Sequence, residues 1–279
     1  MTTMTNTTTA ASTADLNQIT GGGILRGFGN LLGNELQQWF GTRRWIIHLL
    51  IWVMPINVLI AVAVSEIMSG NLPAEAPPDL TAQLIEAFQI FFLLGGLATG
   101  IGIITAAQGA IIREKQLGTA AWVMSKPASR PAFVLAKFVA YTIVFLLLAV
   151  AIPALVLYIQ MTLIWNYPQA VLPFALGLAI YTLHFLFYLA LTLMLGTLFA
   201  ARGAVTGIGL TLVVGGLILP NFLPEWVMSI MPWGLPRAAF ALTTGQPLPP
   251  QMVTALIVTA IWTVIFMFVA LWRFGREEF

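Results

Sequence analysis

Read for the spacing of apolar and polar positions, most of this chain shows neither the two-residue alternation of a half-buried strand nor the narrow stripe of a surface helix. Apolar residues instead run on without a charge, and six such runs stand out: about 45–64, 87–112, 138–164, 173–200, 204–222 and 252–272. A hydrocarbon core about 30 Å thick takes roughly 20 residues of helix, so each run is long enough to be read as a membrane span. The pattern changes ahead of the first run. Over about 24–43, Leu25, Phe28, Leu32, Leu36 and Phe40 recur at helical spacing, with Asn34, Glu35, Gln37 and Gln38 largely elsewhere on the wheel. This predicts an amphipathic helix along the membrane surface, an elbow into the first span, with Trp39 and Trp45 at headgroup depth. A cytoplasmic helix packed on another subunit is the alternative. Residues 1–22, rich in Thr, carry neither a basic n-region nor an apolar core and read as a disordered cytoplasmic tail.

Composition agrees with a membrane protein: 59% hydrophobic and 8% charged residues, against about 25% charged in soluble domains. The placement of the charges adds an orientation. Arg26, Arg43 and Arg44 precede the first span, five basic residues surround the loop after the second, Arg202 lies in the fourth turn, and Arg273 and Arg276 follow the last span. In a six-span chain all of these fall on one side, which predicts cytoplasmic amino and carboxyl termini. Glu66, Glu75, Asp79, Glu86 and Glu225 fall on the other. The net charge of +2 thus follows from topology, and no separate basic face points to nucleic acid.

The loop after the second span, "AIIREKQLGTAAWVMSKPASRPAFVLAK", holds five of the twelve Lys and Arg residues. No helix breaker separates the second span from "IIREKQ", so that helix is expected to project beyond the membrane until Gly118 stops it. Thr119 can cap a short helix, "AAWVMS", that Lys126-Pro127 ends, and Ser129 can cap the next, with Pro131 in its first turn. The result is a short helix held crosswise on two stalks. It either transmits force to a cytoplasmic partner or is a hairpin that touches only water, and these residues alone leave both open. Lys137, just beyond, is expected to snorkel to the inner headgroups.

Polar groups inside spans each need a partner. Asn57, Gln89, Thr99, Thr105, Gln108, Thr206 and Thr211 are candidates to line a pathway, with plain interhelical hydrogen bonding the alternative for each. His48 and His184, the two histidines, have no metal-ligand spacing to one another or to a carboxylate, so no metal site is expected. From Asn221 to Gln251 the chain is too long for a turn and too apolar for a solvated loop, and Pro220, Pro224, Pro232 and Pro236 cut it into pieces. Irregular backbone at membrane depth must be buried in protein or line a cavity. Re-entrant helices between the fifth and sixth spans are therefore expected, forming an outer gate with Glu225, Trp226, Met228 and Trp233; a helix flat on the outer leaflet is the alternative.

Zero cysteines exclude disulfides, thiolate metal sites and a cysteine nucleophile. No paired carboxylates, Ser-His pair or His cluster occurs at one depth, so the chain is not expected to be an enzyme. It has no G-x-x-x-x-G-K-[ST] loop to cradle ATP.

The run Glu114, Gly118, Thr119, a short apolar helix, Pro127, Ser129, Arg130 and Lys137 resembles the pattern of type-2 ABC permeases, the six-span membrane subunits of ATP-driven exporters. "NELQQWFGTRRW" is similar to their amphipathic elbow and "FLPEWVMSIMPWGLPRAAFALTTG" to their last external loop. The chain departs at Ala120 and Ala121, where acidic or leucine residues are common. The resemblance implies one all-α integral membrane permease domain over 23–279, with six transmembrane helices, N-in/C-in, in a prokaryotic plasma membrane. The crosswise helix becomes a coupling helix seated on a separate ATP-binding cassette subunit, which would hold the ATP and Mg; this chain needs no cofactor of its own. Glu114, Lys115, Gly118, Thr119, Trp122, Lys126 and Arg130 would form or shape that contact, with Trp122 as anchor. A second permease chain, identical or related, would complete the pathway within the bilayer. A membrane scaffold or an ion-coupled carrier without an ATPase is the competing reading, although the central thirds of the spans carry none of the charged relays such carriers use.

Overall fold

The computed structural model describes residues 23–68, 80–119 and 128–277. The expected tail (1–22), the short helix at 120–125 with Trp122, the neighbouring Lys126, and the acidic Glu75 and Asp79 lie outside the described residues, as does the side chain of Glu225. Among the described residues there are ten α-helices: α1 (Phe28–Phe40), α2 (Arg44–Met68), α3 (Leu80–Ala107), α4 (Ile112–Gln116), α5 (Arg130–Ile164), α6 (Val171–Leu198), α7 (Arg202–Ile218), α8 (Glu225–Met228), α9 (Leu235–Thr243) and α10 (Pro250–Gly275). Among the described residues there is no strand.

Among the described residues, five helical stretches are long and apolar enough to cross a membrane: Arg44–Glu66, Leu84–Gln116, Arg130–Ile164, Val171–Leu198 and Pro250–Gly275. Their outward faces suit hydrocarbon, since Ile51, Met54 and Val62 of α2 and Ile257, Val264 and Phe268 of α10 are each about half exposed or more; a water-soluble monomer rarely shows so continuous an apolar surface. The protein is membrane-embedded. The fifth expected span, 204–222, is shorter than the sequence suggests. α7 has 17 residues, about 26 Å at 1.5 Å per residue, because Pro220 cannot extend the amide ladder and Leu219–Asn221 tightens into a 3₁₀ turn.

The second span also differs. Instead of running unbroken to Gly118, the helix pauses at residues 108–111 and resumes as α4. Gly118 then takes a left-handed conformation, φ 69°, where the stop was expected. At the other stalk Ser129 accepts from the Ala132 amide at 3.2 Å and Pro131 sits in the first turn, a cap legible in the sequence. The third span tolerates Pro153 by widening: Leu146–Ala151 is a π-helical turn, closed by Ile152 N–H donating to the Leu147 carbonyl.

α6 forms the axis, with α3, α9 and α10 against it. Close approach depends on missing side chains. A Cβ at Gly177 of α6 would lie 2.8 Å from the Ala239 carbonyl oxygen and against the Thr243 hydroxyl of α9, and one at Gly96 of α3 would lie 2.7 Å from the Pro236 ring. Gly177→Ala should therefore force α9 away from α6, costing about 1–3 kcal/mol as overpacked sites do. A thermal melt in detergent checks this, with Gly203→Ala as the comparison: nothing lies within 4 Å of a Cβ there, so stability should hold or rise.

Candidate functional site

The densest polar chemistry lies at the basic end of the bundle. Lys137, in the second turn of α5, is 2% exposed, and its ammonium donates to Glu35 Oε1 of α1 at 2.6 Å and to Glu114 Oε1 of α4. It also lies 4.8 Å from the centre of the Phe133 ring. The expected snorkelling of Lys137 is thus corrected: two carboxylates meet the charge inside the protein, and a buried ammonium without them would be strongly disfavoured. The wheel reading of α1 changes with it. Glu35, which the wheel sets apart from the apolar positions, is buried together with Trp39, which packs edge-on against His48 at 5.0 Å and Tyr141 at 5.4 Å.

The remaining candidate coupling residues fasten the two stalks. Thr119 Oγ1 donates to the Glu114 carbonyl at 3.2 Å, and Lys115 pairs with Glu277 at 2.8 Å, tying α4 to the end of α10. Gln116 donates to the Ala200 carbonyl in the α6–α7 turn at 3.1 Å. On the other stalk, Arg130 donates to the Gly275 carbonyl at 2.8 Å, Phe133 stacks on Phe274 with centroids 5.0 Å apart, and Ser129 N–H donates to the Arg26 carbonyl at 2.9 Å. Glu114, Lys115, Gly118, Thr119 and Arg130 are thereby gathered at one end. Trp122 and Lys126 fall in the undescribed stretch between the stalks.

The candidate pathway residues do not form one file. Asn57 is buried between α2 and α5, where its backbone carbonyl accepts from Gln160 at 3.4 Å. Thr99 is buried against the Tyr181 hydroxyl of α6 at 3.3 Å. Gln108 accepts from Thr206, joining α3 to α7 near the basic end. Gln89, Thr105 and Thr211 are exposed. Gln160, Tyr181 and Glu35 were missed in the sequence, and the available signal was of one kind: a polar group amid apolar neighbours whose partner lies on a distant segment.

At the middle of α6, His184 sits between the Pro232 and Gly96 carbonyls, 3.2 Å from each. Trp233 donates to the Leu212 carbonyl at 2.8 Å and lies over Gly216 of α7. Together with Met228, Arg237 and Gln251 they border a cavity of about 380 Å³. Of the expected outer-gate residues, Met228 and Trp233 line this cavity, while Trp226 is 65% exposed. Among the described residues no three His, Asp or Glu side chains are grouped to hold a metal.

A family model described as a protein of unknown function, DUF2705, matches residues 50–279. The chain belongs to the DUF2705 family. No curated protein matches it.

The DUF2705 match takes in α3 to α10 and most of α2, and with them Glu114 and Lys137; α1 and its Glu35 precede it. In this DUF2705 protein Lys137→Met would leave the buried Glu35 and the partly buried Glu114 carboxylates without their cation, and breaking a buried pair in this way costs about 3–5 kcal/mol. Much lower yield and a lower melting temperature in detergent are expected. Replacing the group at once, Lys137→Met with Glu35→Leu and Glu114→Leu, should restore stability, since it leaves no unpaired charge.

Proposed function

We propose that this chain is the membrane-spanning permease of an ATP-driven exporter, driven by a separate ATP-binding cassette subunit. The observation that carries the proposal is the bracing of the two stalks around residues 120–127. Glu114 is tied to Lys137 and through it to Glu35, Lys115 to Glu277, and Arg130 to Gly275. A push applied at two stalks braced in this way passes to α1, α5 and α10. That is what coupling to a cytoplasmic motor requires, and the resemblance of the stretch to a coupling helix points the same way.

In this reading α7 is the sixth crossing, α1 is the elbow, and the basic end faces the cytoplasm. The segment from Pro232 to Thr243 is re-entrant: Pro232 meets His184 at the middle of α6, 13 residues or about 20 Å from its Val171 start. Gly203, Gly207 and Thr211 on the open side of α7 suit contact with a second permease chain.

Two measurements test this. Tagged chain purified from its host membranes in mild detergent should bring down a soluble ATPase, and Trp122→Ala with Lys126→Ala should lose it or uncouple its activity; an intact complex without any ATPase would overturn the reading. Because the chain has no cysteine, single cysteines at Ala201 and Trp226 can be probed in cells with a membrane-impermeant maleimide. Trp226→Cys should label from outside and Ala201→Cys only after permeabilisation. Labelling of both from the same side would remove α7 as a crossing.

A further inference from the structure

A second cavity, of about 510 Å³, lies between α2 and α3. Ala149 and Pro153 of α5 and Tyr181 of α6 back it. It exists because α3 presents Gly95, Ala98 and Gly102 toward α2, and the indole of Trp52 lies directly against Gly102. The polar atoms at its back are already satisfied: Thr99 Oγ1 lies 2.9 Å from the Gly95 carbonyl and 3.3 Å from the Tyr181 hydroxyl. Nothing inside calls for a polar ligand. The wall on α3 runs from Phe91 to Thr105, about 21 Å at 1.5 Å per residue, against about 15 Å for half a hydrocarbon core. One end is charged. His48 lines it, and Arg44 is exposed on the same face of α2 one turn nearer the membrane surface. Among the described residues no carboxylate pairs with Arg44.

We propose that this slot holds one acyl chain of an anionic glycerophospholipid from the leaflet at the basic end, with the headgroup phosphate at Arg44. An acyl chain in the bilayer is already in hydrocarbon, so entering the slot gains packing rather than release from water. The chain therefore gives fit, and Arg44 gives selectivity for negative charge. The inference needs α2 and α3 in a membrane but not an ATPase, so it stands or falls apart from the function proposed above.

The test uses the full chain in phosphatidylcholine nanodiscs doped with phosphatidylglycerol, or with phosphatidylcholine as the comparison lipid, bearing a diazirine on one acyl chain. After irradiation, adducts are mapped by mass spectrometry. Phosphatidylglycerol adducts should concentrate on residues 48–59 and 91–105 over residues 251–272 of the lipid-facing α10. Ala98→Phe, which fills the slot from an exposed position, should cut them severalfold while leaving adducts on α10 unchanged. Leu94→Trp does the same from another wall position if Ala98→Phe does not fold. Arg44→Gln should bring phosphatidylglycerol and phosphatidylcholine labelling of the slot to equality. Adducts no denser on the slot than on α10, or insensitive to either filling variant, would overturn the site. A phosphatidylglycerol preference that survives Arg44→Gln would overturn the headgroup assignment.

Discussion

Every backbone amide placed in hydrocarbon has to find its partner within the protein, since no water is there to supply one. Most of this chain meets that demand with uninterrupted helix, and its irregular features mark where the demand is met in another way. Pro153 has no amide hydrogen, and α5 accommodates it with a wide turn in which Ile152 reaches back to Leu147. A second wide turn, Gln160–Ile164, closes with the Trp165 amide on the Gln160 carbonyl at 3.0 Å. Pro232 leaves a carbonyl outside any long helix, and the His184 side chain meets it. The proline-rich segment between α7 and α10 can lie deep because α6 covers it: Leu235, Pro236, Ala238 and Ala239 are buried, and the Gln169 amide reaches the Thr243 carbonyl at 3.1 Å.

The same demand governs charge. A lysine in an apolar bundle either reaches the headgroups or is neutralised internally, and Lys137 takes the second course. Its two carboxylates come from segments 102 and 23 residues away in sequence, so the pairing depends on α1 and α4 folding back against α5. One ammonium against two carboxylates leaves one formal negative charge in the group, and Arg113 and Lys115 flank Glu114 along the chain. Such a group adds little net stability over an apolar core of equal volume. Its contribution is registry: only one arrangement of α1, α4 and α5 satisfies all three residues.

Five of the six expected spans, the Ser129 cap and the Gly118 stop were legible in the sequence because they rest on local rules, namely run length without charge, Ser129 ahead of Pro131, and a glycine at position 118 that can turn left-handed. What sequence missed rests on contacts between distant segments. The burial of Glu35 is invisible on a helical wheel, where it falls among Asn34, Gln37 and Gln38. The pause at 108–111 has no proline to announce it; Gly109 is there, with the Arg202 side chain 3.5 Å from where its Cβ would be. The candidate pathway residues were chosen as polar groups in spans, and that criterion does not distinguish Thr99, satisfied by Tyr181, from Thr211, which faces outward.

α7 is fitted to the rest of the bundle on one side only. Its inner side is fitted closely, since a Cβ at Gly209 would lie 2.9 Å from Ile104 and one at Gly100 would lie 3.1 Å from Val213. Gln108 and Thr206 join it to α3 near one end, and Trp233 holds Leu212 nearer the other. Its outer side has no such fit: Gly203, Ile208, Val214 and Leu217 are exposed. α6, by contrast, is buried along most of its length, and α5 is fixed by Lys137 at one end and by its wide turns further on. The two contacts differ in kind: α7 meets α3 through the close fit of Gly100 and its own Gly209, whereas parting Lys137 from Glu35 and Glu114 would leave buried charge unpaired.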